Sequence, residues 1–354
     1  MKKLRFIVVG SGYRSLYYVR IAKALPERFE LCALLCRTRE KAEKLAIKYK
    51  IPTSFSEEEC KNMSPDFAVI AVSKGEAFQV IKSWGGYGVP VLSETPAALE
   101  LSQLRELWKL KTEKQARIQV AEQYFKQAVL SSQIALTERG LLGKPYSMDI
   151  SMAHDYHGIS LIRHFLKTDG KTVTMSGCQF IFPVEETDSR YGVINDGRMT
   201  DVTRVRLSLE FGDNTVAFYD FSSIQYRSFI RSRHLAVQGS HGEMRDLTVC
   251  YTDSDHIPHK EELSICLWPS GIGIQKVLWK GELLYQNPYG DCGLTEDETA
   301  IAELMDGMEK YINEGVEVYP LREALQDAYM TILMEEAIQH PYEKVTAQKQ
   351  IWDS

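Results

Sequence analysis

The chain opens with apolar runs of four to seven residues, each followed by a turn and then a stretch with helical spacing. Leu4 to Val9 is an apolar run that stops at glycine, the form of a strand buried on both faces. Ser15 to Leu25 follows with Leu16, Val19, Ile21 and Ala22 on one helical face, stopped before Pro26. The same alternation predicts strands at Phe29 to Cys36, Asp66 to Val72, Pro90 to Ser93 and Arg117 to Ala121. It predicts helices at Arg39 to Tyr49, Glu76 to Trp84 and Leu101 to Leu110. Strands and helices alternating at this pitch mean a doubly wound parallel sheet, an α/β Rossmann domain over residues 1–122.

From residue 123 the pattern changes, and residues 123–354 read as an α+β domain with a large, mostly antiparallel open sheet. Gln127 to Arg139 is spaced as a helix ending at Gly140, and Tyr146 to Ala153 as a strand running straight into another helix. Thr203, Val205, Leu207, Leu209 and Phe211 alternate with polar residues, as in a half-buried strand. Gly212-Asp213-Asn214 turns that strand back into Thr215 to Asp220. His234 to Gln238 and Leu263 to Leu267 are further strands. Thr295-Glu-Asp-Glu298 is a capping box for a helix closed by Gly315, and Pro320 opens another. The acidic stretch from Pro183 to Arg198 reads as a mobile loop beside a substrate pocket.

Ligands of doubly wound sheets sit at the carboxyl ends of the strands. Gly10-Ser11-Gly12-Tyr13-Arg14-Ser15, after the first strand, has the G-x-G-x-x-G form with serine in the third place. Its first glycine permits the turn, its second lets a pyrophosphate approach the backbone, and the small third residue lets helix and strand pack closely. Arg14 either covers the pyrophosphate or faces solvent. Val72 at the end of the third strand, Ser73 just after it and Glu94 after the fourth strand complete the expected cofactor wall. After the second strand, Cys36-Arg37-Thr38-Arg39 carries no carboxylate for a ribose diol. Arg37, assisted by Thr38 and Arg39, suits a 2′-phosphate, so NADP(H) is favoured over NAD(H). The bland alternative is that these arginines decorate an exposed loop.

These residues, with Arg39-Glu-Lys-Ala-Glu-Lys-Leu-Ala46, Leu92-Ser-Glu-Thr-Pro-Ala-Ala98, Gly140-Leu-Leu-Gly-Lys-Pro145 and Tyr319-Pro-Leu-Arg-Glu-Ala-Leu325, resemble the Gfo/Idh/MocA oxidoreductases, the family of glucose–fructose oxidoreductase and inositol dehydrogenase. The resemblance implies nicotinamide chemistry on a small sugar, polyol or carbonyl compound. It also implies a homodimer or homotetramer joined through the open sheet. The family's Glu-Lys-Pro is here Glu94-Thr95-Pro96, so the usual lysine is a threonine. His157 matches the family histidine, but Ala153 stands where its aspartate would be. His157 is therefore the first candidate for acid/base work, with Tyr156, Asp155 and Thr95 beside it and His154 as an orienting neighbour. A capping role for Asp155 and His157 at a strand-to-helix junction is the plainer reading. An NAD(P)-binding sensor or partner protein without turnover is the alternative function.

Composition narrows the partners. With 354 residues, 44% hydrophobic and 25% charged, the chain is an ordinary globular protein. A net charge of -6 argues against a general nucleic-acid binder. No run of 18 apolar residues predicts a membrane span, and the first residues lack the apolar core of a signal peptide. Seven scattered cysteines without C-x-x-C read as reduced thiols of a cytoplasmic protein. His154/His157 and His256/His259 have H-x-x-H spacing but no evident third ligand, so no metal site is expected. Arg204 and Arg206, with Arg227, Arg231 and Arg233, form a basic group that either meets an anionic substrate or lies on a solvated or interface face.

Overall fold

A computed structural model describes residues 3–353. The first sheet is built from β1 (Leu4–Val9), β2 (Phe29–Leu35), β3 (Thr53–Ser54), β4 (Phe67–Ile70), β5 (Val91–Ser93) and β6 (Ile118–Val120). Between them run α1 (Ser15–Ala24), α2 (Arg39–Tyr49), α3 (Glu57–Asn62), α4 (Lys74–Gly86) and α5 (Leu101–Lys114). All pairs are parallel, in the order β3-β2-β1-β4-β5-β6. The order reverses between β1 and β4, which is where ligands of such sheets bind. Every residue of β4 and β5 is buried, which explains why their sequences are unbroken apolar runs.

The chain then forms α6 (Ala128–Glu138), β7 (Pro145–Ser151) and α7 (Asp155–Leu166). Next come β8 (Val173–Glu185), the short β9 (Asp188–Ser189) and β10 (Gly192–Val193), β11 (Met199–Phe211) and β12 (Thr215–Ser222). They are followed by β13 (His234–Gly239), β14 (Gly242–Arg245), β15 (Thr248–Thr252) and β16 (Pro258–Glu262). A separate three-stranded sheet contains β17 (Ser264–Leu267), β18 (Ile274–Trp279) and β19 (Glu282–Gln286). The chain ends with α8 (Glu296–Glu314), α9 (Leu321–Gln339) and β20 (Val345–Thr346).

The large sheet has nine strands in the order β16-β15-β14-β13-β7-β12-β11-β8-β20. Only the β7–β12 pair is parallel among the described residues. Helices α7 and α9 cover one face of it. The hairpin at Gly212-Asp213-Asn214 is as the turn residues predict, and Asp213 and Asn214 both take positive φ. The stretch from 183 to 198 is only partly a loop: 183–185 belong to β8, and the short β9–β10 ladder lies within the turns that follow. β8 and β11 pair along all thirteen residues of each, and β9 with β10 closes the tip.

Helix α8 returns to the first sheet. Ile301, Leu304, Met305 and Met308 share a core with Tyr18 and Val19 of α1 and with Phe6 and Val8 of β1. Thr295 and Glu298 form the reciprocal cap that the sequence announces, and Gly315 closes the helix at φ 74°. The start of α8 is thereby fixed beside the glycine loop.

Candidate active site

The loop after β1 fits a dinucleotide. A Cβ on Gly10 would lie 2.3 Å from the Ala71 carbonyl oxygen, and its φ of +117° suits glycine alone. At Gly12, by contrast, a Cβ would meet nothing within 4 Å, so the backbone there is open to an approaching group. Ser15 is fully buried and its hydroxyl donates to the Ala71 carbonyl at 3.3 Å, doing the packing work of a third glycine. No side chain caps α1; the Leu16 and Tyr17 amides donate to the Tyr13 and Arg14 carbonyls of the glycine loop. Ser11 lies beside the Cys36 thiol, and Val72 is half-buried just beyond β4.

Arg14 is neither over the loop nor in solvent. Its Nε donates to Glu94 Oε1 at 2.8 Å and its Nη1 to Asp297 Oδ2 at 2.8 Å. Tyr18 adds a 2.6 Å bond to the same Glu94 oxygen. Burial opposes the Arg14 charge, but the two carboxylates outweigh it and raise its pKa. Asp297, from the first turn of α8, was beyond sequence reasoning, because it reads there as an ordinary acidic residue at a helix start.

Thr95 and His157 do come together. His157 Nε2 is 3.3 Å from Thr95 Oγ1, and His157 Nδ1 is 2.5 Å from Glu122 Oε2. Glu122, just beyond β6, is fully buried, and its other oxygen accepts the Tyr124 amide at 2.9 Å. Burial pushes the Glu122 carboxyl well above the usual carboxylate range. Burial, with help from the Arg14 charge, pushes the His157 imidazole down to about 4. Both shifts disfavour a charged pair, so the two share one proton as neutral acid and neutral imidazole. With that proton on Glu122, the carboxyl donates to Nδ1, and His157 carries its own proton on Nε2, pointing at Thr95.

Glu122 was missed by the sequence reading, although a signal existed. It is the residue just after the fifth apolar strand, the position inspected after each of the first four.

The other candidates fall elsewhere. Tyr156 is buried, with its hydroxyl donating to the Ala324 carbonyl at 3.3 Å, so it faces the core and not the cleft. Asp155 takes φ 38°, and among the described residues its carboxylate bonds neither histidine. Nor does it cap the helix. Instead Tyr226 Oη accepts the His154 amide at 2.9 Å and Tyr219 Oη the Asp155 amide at 2.8 Å. His154 Nδ1 also meets Tyr226 Oη at 2.8 Å, and Tyr226 meets Tyr124 at 2.9 Å. Burial first, and the neighbouring His157 second, push His154 down to about 4.

On the adenosine side, the Thr38 hydroxyl accepts the Lys41 amide at 3.3 Å and caps α2, which leaves its O–H as a donor. Arg39 lies over the Phe55 ring at 4.5 Å. Arg37 reaches Glu76 at 2.5 Å, and Ser73 donates to the other Glu76 oxygen at 2.7 Å. Tyr13 carries the Arg190 guanidinium over its ring at 5.1 Å, so the tip of the long hairpin rests on the glycine loop. Of the basic group, Arg204 and Arg206 both pair with Asp220 on the neighbouring strand. Among the described residues no group of three metal-ligating side chains converges.

Residues 4–122 match the profile of the Gfo/Idh/MocA oxidoreductase family, NAD-binding Rossmann fold. Over this first domain the chain is similar to that family. No curated protein matches the sequence. The whole chain has the fold of solved oxidoreductases. An NAD-binding oxidoreductase of Klebsiella pneumoniae superposes with a TM-score of 0.71 at 17% identity, covering 99% of this chain and 100% of that one. An Agrobacterium radiobacter oxidoreductase solved with NAD+, L-tartaric acid and magnesium gives 0.70 at 14% identity, covering 97% and 98%. The scyllo-inositol dehydrogenase of Lactobacillus casei gives 0.66 at 13%, covering 98% of both chains. At these identities the likeness is one of fold, so roles within the family site rest on the geometry above.

Proposed function

We propose that this protein is an NAD(P)-dependent oxidoreductase that transfers a hydride between a nicotinamide cofactor and a small sugar, polyol or carbonyl compound. The observation that carries the reading is the chain Glu122–His157–Thr95, which ends at a half-buried hydroxyl next to Glu94. Gly10, Ser11, Gly12 and Tyr13 would hold the pyrophosphate, and Arg37 a 2′-phosphate, which favours NADP(H) over NAD(H). When bound, the cofactor supplies or accepts the hydride and its two electrons. In carbonyl reduction, Thr95 Oγ1 gives its proton to the oxygen of the new alcohol. His157 Nε2–H then restores the Thr95 hydroxyl, and the Glu122 proton moves to His157 Nδ1. The chain thus delivers one proton while the carbonyl carbon gains the hydride; alcohol oxidation runs it backwards, with the unloaded chain accepting the proton.

A hydroxyl is suited to this position because it accepts one hydrogen bond while donating another. The family lysine is therefore replaced by a relay in place of a second charge. Arg14, tied to Glu94 and Asp297, keeps a cation nearby without presenting a titratable group. The seven free thiols fit a cytoplasmic setting. The outer face of the large sheet, where Phe180, Phe182 and Phe218 are exposed, is the surface for homo-oligomerisation.

The test is a fluorescence titration with NADPH and NADH, followed by a panel of carbonyl substrates. Binding with turnover that His157→Ala abolishes, at unchanged cofactor affinity, supports the reading. Binding without turnover of any compound favours a sensor, and no binding of either nucleotide refutes both.

A further inference from the structure

We propose that Glu76 sets the choice between the 2′-hydroxyl and 2′-phosphate forms of the cofactor. The inference rests on the cofactor reading above and concerns a residue outside the segment that follows β2, where such selectivity is usually encoded. That segment has no carboxylate before Glu40. Thr38 caps α2 and Arg39 lies over the Phe55 ring. Arg37 has a side chain 78% exposed, and its partner is Glu76.

Topology explains the meeting. Arg37 follows β2 and Glu76 lies in the first turn of α4, after β4, while the glycine loop follows β1, which lies between these two strands. An ion pair from one flank to the other therefore crosses the adenosine side of the loop. Glu76 is also oriented: Ser73 Oγ donates to Oε2 while Arg37 meets Oε1. The carboxylate missing from the end of β2 is thus supplied across the sheet from α4.

The consequence for each cofactor differs. A ribose diol is uncharged and can donate to a carboxylate, so Glu76 can stay on Arg37 while NADH is bound. A 2′-phosphate needs Arg37 for itself and brings its charge close to the Glu76 carboxylate. NADPH must then separate an existing pair and tolerate a like charge. Glu76 tempers the phosphate preference that Arg37 confers.

The experiment measures dissociation constants of NADPH and NADH by nucleotide fluorescence for the wild type, Glu76→Gln and Arg37→Met. The glutamine keeps the size and a hydrogen-bonding oxygen but removes the charge. For Glu76→Gln, NADPH affinity is expected to rise about threefold relative to NADH, the scale of an exposed ion pair. Arg37→Met is expected to lose affinity for NADPH alone. An unchanged NADPH/NADH ratio in Glu76→Gln, with both nucleotides still bound, overturns the role of Glu76 and leaves the cofactor reading standing. No binding of either nucleotide to the wild type overturns both.

Discussion

Thr95→Val isolates the relay. Valine keeps the shape of threonine and removes only the hydroxyl, and that hydroxyl makes one long bond, 3.3 Å to His157 Nε2. Thr95 is half-buried, so the change should cost stability less than about 1 kcal/mol. The catalytic effect should be far larger. His157 is only 6% exposed and stands behind Thr95, so with valine in place its proton has no carrier to the substrate oxygen. Losing a positioned acid or base typically costs about 10²–10⁴-fold, or roughly 3–5 kcal/mol of barrier. A water able to enter beside the methyl group would recover part of this, so a loss of about 10²-fold in kcat is the expected result. KM should move little, because a proton in flight is a property of the transition state. The assay follows nicotinamide absorbance at saturating cofactor with the carbonyl compound that the wild type reduces fastest. Thr95→Ser should restore most of the rate. If Thr95→Val keeps kcat within about threefold of the wild type, or Thr95→Ser is as slow as the valine, the hydroxyl is not the carrier.

Two further outcomes concern stability and assembly. His164 Nε2 is enclosed without a partner, the ring stacks on Phe125 at 4.7 Å, and burial first and Arg163 second push its pKa down to about 4. The unfolded chain therefore binds a proton that the folded one refuses between pH 6.5 and 4, so this stability is present above 6.5 and is lost as pH falls, by about 3 kcal/mol at the bottom of the window. His154 and His157 add to the same slope with the same sign. His164→Phe should make denaturation midpoints less sensitive to pH between 7 and 4, and an unchanged slope would show that His164 does not titrate there. On the outer face of the large sheet Phe182 is 46% exposed, and Phe182→Asp should convert an oligomer to a monomer in analytical ultracentrifugation; equal masses for the two proteins would remove that face as the interface.

The first domain was legible because its strands are buried on both faces and so are written as unbroken apolar runs between turns. The second was legible only where one face is buried, as in β11. β16, Pro258–Glu262, has no buried residue at all, and β8 loses its alternation from Gln179 to Pro183, where every residue is exposed. Such strands are held by their neighbours' backbone, which leaves no mark on side-chain pattern. The candidate site shows the same division. His157 and Thr95 could be singled out one at a time, but their contact depends on β5 and α7 meeting across the domains. Tyr156 stood beside His157 as a second candidate in the sequence, yet adjacent positions on a helix point about 100° apart, and the structure sends the phenol to the core. The pairing of Arg37 with Glu76 could not be read from the sequence, because the two lie 39 residues apart on different flanks of the sheet.

Tyr219 bears on more than the start of α7. A Cβ on Gly158 would fall 2.4 Å from the Tyr219 ring, so the helix can lie against that ring only where it lacks a side chain. The residue before it on β12, Phe218, is 46% exposed on a strand whose neighbours alternate in burial. One strand therefore touches the histidine-bearing helix with one residue and presents the next to whatever covers the sheet. A subunit docking there would press on the frame that aligns His154 and His157, with a single peptide unit between the docked residue and the Tyr219 ring against that helix. Association and turnover would then be mechanically linked, and a dilution series that separates the subunits should change the rate per chain as well as the mass.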